Sequence, residues 1–181
     1  MKPLILIAYG TKHGSTREVA EVLGDALVEH GLEVETLPAG QVQDIAQYAG
    51  VVVGGSLYMS RWHPESLAFV RRHAKALSEL PLAVFAMGPR TLEPSEVAQS
   101  EEQLGHALAK VPQVDPFAVA IFGGVVDPKK LRFPLSKLPA SDARDWARIR
   151  AWAGELAATF DYGKAASIAG DVRRRLQQTP R

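Results

Sequence analysis

Three hydroxyls, a lysine, a histidine and a glycine fall together at Thr11-Lys12-His13-Gly14-Ser15-Thr16. The stretch follows a short apolar run, Leu4 to Ala8, and precedes Val19, Val22, Leu23, Ala26 and Leu27 at helical spacing, with Glu18 and Glu21 in the first turns. A strand therefore passes through a turn into a helix, where backbone N–H groups and the positive end of the helix dipole form a site for phosphate. Thr11, Ser15 and Thr16 add hydroxyl donors, and Lys12 adds charge nearby. The plain alternative is a turn without ligand, in which Ser15 or Thr16 only caps the helix. A P-loop would place Lys directly before its magnesium-binding hydroxyl, which Gly14-Ser15-Thr16 does not, and a G-x-G-x-x-G turn is missing. A phosphoacceptor receiver would need acids where this chain has Tyr9-Gly10 and Gly54-Gly55. The loop fits a monophosphate held without metal.

Other chemistries are thinly represented. The 181 residues contain no cysteine, which excludes disulfides, thiol catalysis, iron–sulfur clusters and cysteine-ligated zinc. No cluster of histidines and carboxylates has metal-ligand spacing, and no nucleophile–base pair can be located, so no metal is expected and the catalytic residues stay unassigned. His63, just before Pro64, is a weak candidate proton donor, with a helix-start cap as the alternative. The net charge is +1, from 21 basic and 20 acidic side chains. Residues 163–181 hold five basic side chains against Asp171, leaving the rest near −3. No strongly basic body points to nucleic acid.

These residues need elements to position them. Leu4–Ala8, Val51–Val53, Leu82–Ala86 and Phe117–Phe122 are continuous apolar runs, as in strands covered on both faces. Leu32–Leu37 alternates, as in an edge strand. Helices are predicted after Ser15, from Pro64 with Leu67, Val70, Ala74 and Leu77 inward, and between Pro94 and Lys110. A last helix is predicted from about Ser141, a plausible cap, to Phe160, with Trp146, Ile149, Trp152 and Leu156 inward. Strands alternating with helices require right-handed crossovers. The expected fold is α/β: a flavodoxin-like three-layer sandwich with a five-stranded parallel sheet in order 2-1-3-4-5, whose ligand crevice lies beyond the strands' carboxyl ends. Residues 1–162 form the domain and 163–181 a basic tail, expected to fray. The Met-Lys-Pro start gives no secretory signal, and no apolar run approaches the roughly 20 residues that span a bilayer, so a cytoplasmic protein is expected.

The loop at 11–16, with His13 at its second hydroxyl position, resembles the T-x-T-G-x-T phosphate loop of flavodoxins. Gly54-Gly55-Ser56-Leu57, Trp62-His63 and Phe69-Val70-Arg71-Arg72-His73 resemble one branch of flavodoxin-domain proteins, the menaquinone-dependent protoporphyrinogen oxidases. Asp145-Trp146, after Phe117–Gly124, is similar to that branch as well. The resemblance spans roughly residues 4–160. It implies FMN, its phosphate cradled by Thr11, Lys12, His13, Gly14, Ser15 and Thr16. Ser56 and Leu57 would border the ring, with Tyr58 and Trp62 as stacking candidates. Met87, Gly88, Pro89 and Arg90 would form the opposite wall, and Gly123 and Gly124 a further edge. Each tryptophan and His63 also has a packing explanation.

Segment 127–138 interleaves Lys129, Lys130, Arg132 and Lys137 with Leu131, Phe133, Leu135 and Leu138 at the crevice end of the fifth strand. Such a loop can rest on an anionic bilayer at the membrane's inner face and admit a quinone, or its apolar residues can fold back onto the body. Three functional readings stand together: an FMN oxidoreductase passing electrons from a reduced substrate to a quinone or other acceptor, an electron-carrying flavodoxin that docks to redox proteins, and a flavodoxin-like module without FMN. Carriers are usually acidic around the flavin. A basic crevice loop favours the first reading.

Overall fold

The structure is a computed structural model that describes residues 2–177, and side chains through residue 161. The chain runs β1 (Leu4–Gly10), α1 (Ser15–Glu29), β2 (Glu33–Pro38), β3 (Gly50–Tyr58), β4 (Arg61–Trp62), α2 (Pro64–Arg72), α3 (Ala74–Leu77), β5 (Leu82–Met87), α4 (Pro94–Leu108), β6 (Ala118–Phe122), β7 (Val125–Val126), β8 (Ser141–Asp142) and α5 (Trp146–Gln177). The main sheet is parallel in the order β2-β1-β3-β5-β6, which is 2-1-3-4-5 when its five long strands are counted. This is the flavodoxin-like order expected from the apolar runs.

The central strands read as unbroken apolar runs because both faces are covered. One face packs Ile7, Phe85 and Phe122 against Leu23 of α1 and Trp152, Leu156 and Phe160 of α5. The other packs Leu6, Val53 and Val84 against Phe69 of α2 and Leu104 of α4. Trp152 meets Phe85 and Phe122 edge-on at 6.2 and 5.5 Å, each contact contributing about 0.5–1.5 kcal/mol beyond area burial. The register pairs Gly10 with Gly55, Ser56 with Met87 and Met87 with Phe122. Four strands therefore end side by side, and their following loops share one edge of the sheet.

Several expectations need correction. The last helix starts at Trp146 and not Ser141, which lies in β8. Asp145 is the cap: its carboxylate accepts from the Arg148 N–H at 3.0 Å. Trp146 is 37% exposed beneath the Arg144 guanidinium and does not belong to the core. The backbone is helical from Trp146 to Gln177, and residues 178–181, the end of the tail expected from 163, lie outside the described residues. Two short antiparallel pairs were not foreseen. β3 turns through Met59 and Ser60 into β4, and β7 pairs with β8 around segment 127–140. No described helix is long and apolar enough to cross a membrane.

Candidate functional site

The turn after β1 is held open by Gly14, whose φ of 94° is left-handed backbone that glycine adopts without steric penalty. Its N–H donates to Thr11 Oγ1 at 2.9 Å. Gly14 is also the N-cap of α1, and no side chain caps that helix, so Ser15 and Thr16 do not play the capping role considered for them. The N–H groups of Ser15, Thr16 and Arg17 meet no acceptor among the described residues, as at any uncapped helix start. Thr16 is wholly buried, and its hydroxyl has no hydrogen-bond partner; the same holds for Nε2 of His13. An unpaired buried hydroxyl costs roughly 1–3 kcal/mol. Free N–H groups at a helix start can donate to a bound anion.

A groove of about 320 Å³ leads away from this turn. Thr11, Lys12, His13 and Ser15 line one end, and Ser56, Leu57, Tyr58 and Met59 form one wall. Met87, Gly88 and Arg90 stand on the other side, with Gly124, Val125 and Val126 beside them. The loops after β5 and β6 are tied together: Gly88 N–H donates to Phe122 O at 3.1 Å and Gly124 N–H to Pro89 O at 2.8 Å. A Cβ on Gly88 would lie 2.9 Å from Leu57, and one on Gly124 would lie 3.1 Å from Gly88 O. A side chain at either position would press on the facing wall. Leu131, Leu135 and Leu138 complete the lining, so the apolar side of segment 127–138 faces the groove while Phe133 is 74% exposed.

Behind the turn lies a recess of about 200 Å³ where His13, Ser15, Glu18, Asp127, Lys130 and Arg144 meet Val125 and Leu131. Arg144 grips Asp142 through Nε and Nη2 at 2.9 and 2.7 Å and also donates to Glu18. This holds the Asp142 carboxyl below its usual range, against the opposing effect of burial. Lys130 Nζ donates to His13 O at 3.3 Å, joining segment 127–138 to the turn. Burial, then the charges of Lys12 and Lys130, lower the His13 pKa. Arg144 was missed as a site residue, because sequence spacing does not reveal its contact with Glu18, 126 residues away, whereas Lys130 and the three leucines belong to the segment already expected at the crevice.

Four expected residues stand elsewhere. Trp62 is 3% exposed, lies on the α2–α4 side against Gly55 and is not at the groove. Tyr58 is the aromatic that reaches it, with the Lys12 ammonium 4.6 Å from its ring centroid. His63 N-caps α2, its Nδ1 accepting from the Glu65 N–H at 3.3 Å. Its position under Gly10, with a pKa lowered by burial, does not support the proton-donor role. Pro89 lines a separate polar recess against α4, and Gly123 packs on the Ala143 carbonyl.

The sequence matches the flavodoxin domain family over residues 6–135. It is 26% identical over 136 residues to protoporphyrinogen IX dehydrogenase (quinone) of Escherichia coli strain K12, covering 74% of this chain and 71% of that protein. A rubredoxin:oxygen oxidoreductase from Desulfovibrio gigas has a TM-score of 0.61 at 13% identity, over 91% of this chain and 38% of that one. A flavodoxin variant from Pseudomonas aeruginosa has a TM-score of 0.55 at 17% identity, over 87% of this chain and 99% of that one. These structural likenesses establish the fold.

Proposed function

The chain belongs to the flavodoxin domain family, and on that premise we propose that it binds FMN in the groove and acts as an oxidoreductase, passing electrons from a reduced substrate to a quinone or another acceptor. The observation that carries the reading is the continuity of two unlike surfaces. Free helix-start amides stand at one end beside Thr11 and Ser15, and a narrow, largely apolar slot walled by Leu57–Met59 and Met87–Gly88 leads from them. A phosphate fits the first and a flat ring the second. FMN bound there would supply a ring that takes up two electrons, singly or together.

The chain's own residues bind, orient and exclude water. Amides of the 11–17 turn and the hydroxyls of Thr11, Ser15 and Thr16 hold a phosphate dianion; Thr11 Oγ1, already an acceptor from Gly14, keeps its O–H to donate. Ser56 and Leu57 offer backbone to the ring edge, and Tyr58 offers its face. Leu131, Leu135 and Leu138 keep water from the apolar end and leave a surface suited to an apolar acceptor such as a quinone. The likeness to a quinone-linked dehydrogenase supports the same reading.

Addition of FMN to the purified protein should quench flavin fluorescence with saturation. Thr11→Ala with Ser15→Ala should weaken that binding by about 2–3 kcal/mol, roughly 30- to 150-fold in Kd, from two lost phosphate hydrogen bonds. Unchanged affinity would move the phosphate site elsewhere, and indifference to excess FMN would leave a flavodoxin-like module without it. Turnover of protoporphyrinogen with menaquinone, compared with reduction by a ferredoxin reductase, separates enzyme from carrier.

A further inference from the structure

We propose that the mouth of the groove is a docking surface for an acidic redox protein. The inference rests on the flavin reading for its purpose, while the docking itself can be measured without it. Among the described residues, the two most exposed large apolar side chains are Met59 at 77% and Phe133 at 74%. Met59 lines the groove from the tip of the β3–β4 hairpin, and Phe133 stands on the segment between Arg132 and Leu135 that flanks it. Met59 and Ser60 both have positive φ, 47° and 61°, the turn geometry that closes a two-residue hairpin. Neither is glycine, so backbone strain is accepted to hold Met59 outward at this position.

Cations surround these apolar lips. Lys12, Lys130 and Arg132 converge on a recess of about 520 Å³ that also contains Tyr58 and Leu131. The Lys12 ammonium lies over the Tyr58 ring, which places its charge at the mouth instead of inside the phosphate turn. Arg90 lines the groove, Arg61 stands opposite Tyr58 in the hairpin, and the Lys137 ammonium is 5.2 Å from the Phe133 ring centroid. Among the described residues none of these six cations is in an ion pair. Acids nearby are fewer: Asp127 accepts from the Lys129 N–H at 3.1 Å, and Glu96, at the start of α4 beyond Arg90, accepts from the Thr91 N–H at 3.1 Å.

Apolar residues ringed by unpaired charges of one sign have the anatomy of a transient protein interface. A methionine at its centre adapts to different partners. Residues 1–162 are near −3 with these six cations included, so the positive mouth also gives the molecule a polarity that turns an acidic partner toward the groove. The surface is concave, with its apolar residues on separate lips. A protruding acidic loop reaches the recess, whereas a flat bilayer meets only the lips.

The test is calorimetric titration of the protein, with and without FMN, using an acidic plant-type ferredoxin as probe and basic cytochrome c as the comparison. Ferredoxin should bind, its affinity should fall steeply with salt, and Arg132→Glu with Lys137→Glu should weaken it about tenfold or more while FMN uptake is unchanged. Cytochrome c should not bind. Absence of ferredoxin binding, or binding insensitive to salt and to the charge reversals, overturns the proposal. Sedimentation of the protein with phosphatidylglycerol vesicles in place of ferredoxin binding would overturn it in favour of a lipid surface. Failure to take up FMN would instead overturn the function proposed above, and the ferredoxin titration of the FMN-free protein would still decide the docking surface.

Discussion

Thr16 is where local chemistry separates a ligand site from a stable turn. Its hydroxyl is buried without a partner, so the free protein carries the cost of desolvating it. Thr16→Val keeps the shape and removes that group. The variant should therefore be more stable without ligand by about 1 kcal/mol and bind FMN about 1–2 kcal/mol more weakly. Chemical denaturation and FMN titration read the two effects separately, and loss of both stability and affinity would show that Thr16 is only a packing residue. The composition of this turn was legible in the sequence, but its cap was not, because Gly14 occupies the position that Ser15 or Thr16 was considered for. Tyr58 and Trp62 were equivalent as sequence candidates. The hairpin register separates them: Trp62 pairs with Leu57 and shares its core-facing side, while Tyr58 pairs with Arg61 and shares the other.

At the scale of elements, the site depends on connections that have no periodicity to announce them. β7 and β8 are two residues each, too short for alternation to register, yet their pairing brings segment 127–138 back over the groove. Arg144 fastens that ribbon to α1 through Glu18 and to itself through Asp142, with its side chain only 11% exposed. The carboxylate partners are about half exposed, so solvent screening reduces what these pairs contribute. Arg144→Met keeps the packing on Trp146 and removes the three donors. It should cost about 1–2 kcal/mol in denaturant unfolding. Hydrogen exchange should quicken in 125–142 before it does so in β1 or β3. Uniform quickening throughout the sheet would mean that the ribbon is not a separately anchored unit. The helix start at Asp145 was misread for a related reason: Ser141 is an equally good capping residue by type, and only its pairing with Val126 removes it from the helix.

For the molecule as a whole, the apolar runs were enough to predict parallel strands covered on both faces, and five such strands fit the order 2-1-3-4-5 that the sheet adopts. Less visible from sequence is how burial of titratable groups on both sides of that sheet sets the range of pH in which the domain is stable. His13, His63 and His73 all have pKa values lowered from 6.5, in each case first by burial. Below pH about 6.5 the unfolded chain binds more protons at these positions than the folded one, so stability falls as pH drops from there toward the folded values. Tyr48 has the opposite sign. Burial, then its hydrogen bond to Glu35, raise its pKa from 10.0 to about 12. Between those values the unfolded chain releases the phenolic proton while the folded chain keeps it, and stability falls as pH rises. Urea unfolding should therefore give a plateau from about pH 7 to 9 with a loss on each side, the alkaline loss lying between pH 10 and 12. Tyr48→Phe should flatten the alkaline side and leave the acid side unchanged, since β2 and its following loop carry no histidine of the acid-side set. If the alkaline loss persisted in that variant, Tyr48 would not be its source.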